Sequence, residues 1–278
     1  MEEAMKVAET IAGMGLPSVY AAKESVNRAF EVTLSEGVRF ERRVFHDYTL
    51  SRFPIRLEVV ALKFSTGIVN SDALVVGLAK SKSGLVIESG KLKLADADLL
   101  PALKDLGATG AVDEVIKLPG SSTKVIIFSG LGEAKAKYHH ETIRRAAGAA
   151  ARSLFGLKSA TFSIADDQRA NAEGAAIASY NFTNFLGDTK KEQKAPLAEI
   201  IIFGTGNSQI LKRTEIEAKY VHLVRDLINT PPSHLNPASF VSQLTSLAKS
   251  VSGVKVKSWN EKELKSGGFG GITAVGQG

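Results

Sequence analysis

The sequence predicts an α/β fold, and three observations carry that reading. Short apolar runs suited to buried strands, many rich in Val and Ile, lie at Glu58–Phe64, Ala73–Ala79, Gly84–Glu88, Thr123–Ser129, Ala160–Ile164 and Glu199–Phe203. Helical patterns lie between several of them, and this alternation places an α/β domain over about residues 53–205. The 278 residues, 44% hydrophobic and 23% charged, have the composition of an average globular chain long enough for about two domains.

The elements follow in order. Residues 2–48 read as helical, with Ala4, Val7, Ala8 and Ile11 at three- and four-residue spacing. A second run restarts at Pro17-Ser18 with Val19, Ala22, Val26, Ala29 and Thr33. This narrow stripe needs a partner surface. From Phe53-Pro54 the period changes to that of strands. The clearest helix inside the α/β domain is Lys137–Phe155, where Ile143, Ala147, Ala150 and Leu154 form one face, Arg144, Arg145 and Arg152 lie off it, and Gly156 is the stop. Gly187–Pro196 is a polar surface loop.

A long helix is then expected over Ile210–Ile228. Its apolar face is Ile216, Tyr220, Leu223, Val224 and Leu227, with Glu215, Lys219, His222 and Asp226 opposite. It ends near Asn229, because Pro231-Pro232 cannot continue it. Asn236-Pro237 starts another helix that runs through Phe240, Leu244 and Leu247 to about Ser250. Strands at Val254–Trp259 and within Gly271–Gly276 would open a second α/β unit.

Composition excludes several classes. The chain has no cysteine, so disulfide frameworks, thiolate metal sites and cysteine nucleophiles are absent, and a reducing cytoplasmic setting is expected. No run approaches the roughly 20 apolar residues that span a bilayer. The acidic start MEEAMKVAET is unlike a secretory signal. The net charge of +6 divides into −2 over residues 1–50 and +8 over the remainder. Without a run of five Lys/Arg, that excess is a solvated surface before it is a nucleic-acid site, although weak DNA binding stays open.

Few constellations point to chemistry. Gly130-Leu-Gly132 and Gly204-Thr-Gly206 follow strands but lack the third glycine of a dinucleotide fingerprint, with Lys135 and Gln209 in its place, so both are read as tight turns. His139-His140-Glu141 is read as an exposed helix start, since adjacent side chains on a helix point about 100° apart and do not converge on a metal. His222 and Asp226 have the spacing of a surface pair on a helix. Asp166-Asp167 is read as the turn ending a strand. His46 and His234 stand alone. There is no GxSxG, P-loop or HExxH, and no catalytic, metal-binding or cofactor-binding residue is assigned.

Val224-Arg-Asp-Leu-Ile-Asn-Thr-Pro-Pro-Ser-His-Leu-Asn-Pro237 closely resembles the linker motif of the leucine aminopeptidase (cytosol aminopeptidase, peptidase M17) family, with Ser233 where Asn is usual. Phe128-Ser-Gly-Leu-Gly132, Ile143-Arg-Arg-Ala-Ala-Gly148, Glu173-Gly174, Ser179-Tyr-Asn-Phe182 and Ala274-Val-Gly-Gln-Gly278 add matches in the family's order over residues 54–278. The resemblance implies a macro-like mixed sheet flanked by helices at 54–205, an interdomain helix at 206–230, and the start of a catalytic α/β domain at 231–278. It further implies a cytosolic homo-hexamer that releases N-terminal amino acids from peptides by means of two divalent metals, Mn or Zn. In that family the metal ligands and the catalytic Lys and Arg lie beyond the "VGQG" segment. None can be carried over, and these 278 residues alone are expected to be inactive.

Residues 1–48 resemble something else. Glu3–Ile11, Ala22–Glu31 and Thr33–Phe45 are similar to the C-terminal helices of an enoyl-CoA hydratase (crotonase family), whose catalytic glutamates lie upstream of this region. A helical fragment at 1–50 joined near residue 50 to the aminopeptidase-like part is the economical account. The competing functions are a nucleotide- or DNA-binding macro-like module and, less favoured, enoyl-CoA hydration.

Overall fold

A computed structural model describes residues 59–68, 71–94 and 98–276, together with Lys23. The helical reading of residues 2–48, the hydratase-like segment and His46 lie outside the described residues. Two compact units divide the chain, one over 55–229 and one formed by 1–54 with 230–278.

The 55–229 unit is built on one seven-stranded sheet in the order β1-β7-β6-β2-β5-β4, with β3 beside β2. The strands are β1 (Ala61–Ser65), β2 (Ala73–Ser81), β3 (Gly84–Glu88), β4 (Val115–Pro119), β5 (Val125–Glu133), β6 (Ser159–Ser163) and β7 (Glu199–Phe203). β1, β7, β6, β2 and β5 run parallel, whereas β4 pairs antiparallel with β5 and β3 with β2. The helices are α1 (Leu99–Asp105), α2 (His140–Ser153), α3 (Gln168–Ala178) and α4 (Ser208–Asn229), with a 3-10 turn at Gly187–Glu192.

β2 is central because it is apolar on both faces, as a strand covered on both sides must be. Ala73, Val75 and Ala79 face the layer of α2, α3 and α4, while Leu74, Val76 and Leu78 pack with Leu103 of α1, Leu92, Ile126 and Phe128 on the other side. One edge of β2 is shared. Ala73–Val76 pair with β6, and Gly77–Ser81 pair with β3. The two partners meet where the Ala165 N–H donates to the Glu88 carbonyl at 3.0 Å.

Asn171 of α3 holds the end of β6. Its Oδ1 accepts from the Ile164 N–H at 3.1 Å, and its Nδ2 donates to the carbonyls of Ile164 and Asp167, both at 2.8 Å. The residue is buried, so Asn171→Ala is expected to destabilise by about 1–2 kcal/mol in urea unfolding, through polar backbone groups left unpaired.

Three sequence expectations change here. The Gly130-Leu-Gly132 segment is not a turn but the end of β5, at a bulge opposite Leu78 and Ala79. A side chain at Gly130 would place its Cβ 1.7 Å from the Ala111 carbonyl oxygen, so the glycine serves a close backbone approach. The face assigned to the long helix is also displaced. Ile216, Tyr220 and Val224 of α4 are exposed, while Leu211, Thr214, Ala218, His222 and Leu223 are buried. Small and polar residues let α4 approach α3 more closely than a row of Ile and Tyr would.

In the 230–278 part the described elements are α5 (Pro237–Lys249), α6 (Glu261–Ser266) and α7 (Gly270–Val275). Asn236 caps α5 in a capping box with Ser239, and Pro237 follows at the first helical position, as the sequence predicts. The strands expected at Val254–Trp259 and Gly271–Gly276 are absent. The first segment is exposed throughout, and the second is helical, with Thr273 N–H donating to Phe269 O and Gly276 N–H to Ile272 O, each at 3.0 Å. Strands need a neighbour to pair with; among the described residues these have none, and the local helical bonds form instead.

Candidate functional site

Two groups of motif residues meet on the helical side of the sheet. Tyr180, just after α3, lies against the last turns of α4. Its hydroxyl donates to Asp226 Oδ1 at 2.8 Å and accepts from Asn229 Nδ2 at 3.0 Å. The Arg225 guanidinium sits 3.9 Å from the Tyr180 ring centroid and donates to the Ile177 carbonyl at 3.0 Å. Burial, ahead of the Asp226 contact, pushes the Tyr180 phenol up to about 12, so it stays a protonated donor. The Ser179–Phe182 and Val224–Asn229 segments are thus one hydrogen-bonded cluster.

The second group joins α2 to α3. Glu173 is buried and receives Arg144 Nη2 at 2.7 Å and Arg169 Nε at 2.5 Å; Arg144 also reaches Glu141. Burial favours the neutral acid, but the two guanidiniums outweigh it and hold the carboxyl below its ordinary range. The helices touch at Gly174, where an added Cβ would lie 2.2 Å from the Arg144 carbonyl oxygen.

His222 departs from the surface pair that its spacing with Asp226 suggests. It is buried, and its Nε2–H donates to the Ile177 carbonyl at 3.1 Å. Burial first, with Arg225 adding to it, lowers its proton affinity in spite of Asp226 and the Ile177 carbonyl. The unfolded chain therefore binds a proton at His222 more readily than the folded one, so stability falls as pH drops below about 6.5. His222→Gln keeps a donor for Ile177 and is expected to flatten the loss of urea stability between pH 7.5 and 5.5. An unchanged slope would assign that loss to other groups.

The remaining candidates have structural roles. His139 caps α2, its Nδ1 accepting from Glu141 N–H at 3.2 Å, and His140 pairs with Asp167. Asp167 caps α3 through the Ala170 N–H at 2.9 Å, and Asp166 lies 3.7 Å from Lys91. His140, Asp166 and Asp167, but not His139, line a cavity of about 510 Å³ beyond the C-terminal ends of β5 and β6, with Lys91, Lys135 and Lys137 on its wall. Gly204 and Gly206 lie in the irregular connection between β7 and α4, where a Cβ on Gly206 would overlap the Phe64 ring. His234 is bonded to Ser233 at 2.9 Å. Among the described residues no three His, Asp or Glu side chains converge to hold a metal, and Glu173, Asp167 and Asp226 are committed to guanidinium, backbone and phenol partners. This donor set does not fit a two-metal centre.

Fold and motif contacts together define an α/β domain whose long terminal helix is fastened to it by an Arg–Tyr–Asp cluster. Residues 75–189 match the cytosol aminopeptidase family, N-terminal domain, and residues 222–278 match the catalytic domain of the same family, together more than half of the chain. The chain belongs to the cytosol aminopeptidase family. A probable cytosol aminopeptidase of Streptomyces griseus is 39% identical over 252 residues, covering 79% of this chain and 49% of the relative. That of Streptomyces coelicolor is 36% identical over 254 residues, covering 79% and 49%. The chain thus spans about half the length of the curated relatives it matches. Among solved structures, bottromycin maturation enzyme BotP is similar with a TM-score of 0.55 at 23% identity, covering 74% of this chain and 43% of BotP. That likeness concerns the fold alone. Among the described residues no helix is long and apolar enough to cross a membrane.

Proposed function

We propose that this chain forms the N-terminal half of a cytosolic aminopeptidase that removes N-terminal residues from peptides, working as a homo-hexamer with two divalent metals, Mn or Zn. The observation that carries this reading is the order of the two family matches, N-terminal domain then catalytic domain, with Tyr180 of the first range in contact with Arg225 and Asp226 of the second. Bound metals in such an enzyme polarise the scissile carbonyl and activate water. On this reading the described residues supply none of that chemistry. The 55–229 unit, with α4 fastened to it, acts as scaffold.

The test joins this chain, after Gly278, to the C-terminal half of the Streptomyces griseus relative. With Mn or Zn, the folded fusion is expected to hydrolyse leucine amide, and the 278-residue chain alone is not. A fusion that is folded by circular dichroism yet inactive with either metal would sink the proposal. The crevice at the ends of β5 and β6, with its three lysines, keeps a nucleotide-binding reading as the alternative. Heat on titrating ADP-ribose, lost in Lys135→Gln, would favour it.

A further inference from the structure

The cavity between α2, α3 and the end of α4 has a role that neither the family match nor the motif contacts assign. It encloses about 560 Å³, and Arg144, Arg145, Arg152 and Arg225 all stand on its wall. We propose that it binds a small anion bearing two or more phosphate or carboxylate groups.

The argument is one of charge left over. Arg144 is matched by Glu173 and Glu141, and Arg145 by Asp113 at 2.5 Å. Among the described residues, Arg152 makes no ion pair or hydrogen bond, and Arg225 makes no ion pair. Two guanidiniums on one cavity wall therefore lack a counter-charge, and each carries several donors in a planar fork suited to oxyanions.

Their placement is specific. Arg225 is clamped between the Tyr180 ring and the Ile177 carbonyl, which fixes its plane and leaves its other N–H groups available. Arg152 extends over the floor, its Nη1 lying 3.5 Å from where a Cβ on Gly148 would be. That floor is made of small residues, Gly148, Ala149, Gly174 and Ala178, so the space between the guanidiniums stays open. An anion of diphosphate or tricarboxylate size fits such a volume and neutralises both arginines.

Isothermal calorimetry of the full chain at low ionic strength, with inorganic pyrophosphate and with citrate as separate probes, tests this. Saturable binding of one anion per chain is expected. Arg152→Gln, at an exposed side chain without partners, should weaken it about tenfold or more while leaving circular dichroism unchanged. Lys104→Gln, on α1 across the sheet, should leave it unaltered. Binding of pyrophosphate alone would assign a phosphate ligand, and of citrate alone a carboxylate ligand. The proposal is overturned by no saturable heat from either probe, by binding that survives Arg152→Gln, or by an equal loss in both variants.

Discussion

Alanine at Gly174 is expected to destabilise the 55–229 unit by roughly 3 kcal/mol or more. The new Cβ would stand 2.2 Å from the Arg144 carbonyl oxygen and 3.0 Å from the Ala147 Cβ, so α2 and α3 would have to separate. Backbone cannot rotate away as a flexible side chain can, and both helices are packed on the sheet behind them. Gly148, the facing glycine on α2, makes the contrast. A Cβ there would meet its nearest atom at 3.4 Å, an ordinary contact, and alanine favours a helix interior over glycine. Urea midpoints should therefore fall sharply for Gly174→Ala and stay level or rise for Gly148→Ala. Equal responses would mean that the helix contact is looser than described.

Glu173→Ala is the second large effect, expected at about 2–3 kcal/mol. Removing one member of a buried ion pair leaves its partners uncompensated, which in a dry interior reaches about 3–5 kcal/mol. The lower figure applies because Arg144 and Arg169 keep water on their outer sides, with 33% and 48% of their side chains exposed. The Glu173 carboxyl is held below its ordinary range by the two guanidiniums. Its contribution is thus complete above about pH 4.5 and is lost as pH falls through the lowered value. Acid unfolding of Glu173→Gln should accordingly show a shallower pH dependence below pH 4.5 than the parent. An unaltered profile would show that Glu173 is not the group titrating there.

The strands that carry the sheet were legible because their burial is written in composition. Runs such as Glu199–Phe203 need no context to be recognised. β4 was not, because Val115–Pro119 is short, half-buried and interrupted by Lys117, as an edge strand can be. α3 was hidden for a different reason. Its sequence, QRANAEGAAIA, is so rich in alanine that no apolar face stands out, yet nearly all of it is buried. The docking face of α4 differs from the sequence reading by the same logic in reverse, since Ile216, Tyr220 and Val224 lie outward while Thr214, Ala218 and His222 join Leu211 and Leu223 in the contact. The site followed this pattern. The motifs around Tyr180, Glu173 and Arg225 were visible as a family resemblance, but that Tyr180 meets Arg225 and Asp226, and Glu173 meets Arg144, is a long-range fact that spacing along the chain does not contain.

The division of one β2 edge between β6 and β3 has a consequence for how the chain assembles. β3 follows β2 after two residues, so the hairpin closes as soon as it is made and covers only the far half of that edge. The near half, Ala73–Val76, waits for β6, which begins at Ser159. At ribosomal rates of about 5–20 residues per second, that interval is on the order of 10 s. For that time four buried-type residues with open backbone donors and acceptors are available to any other strand in reach. Protein made with a chaperone that holds emerging chains should therefore contain more soluble material than expression without one yields.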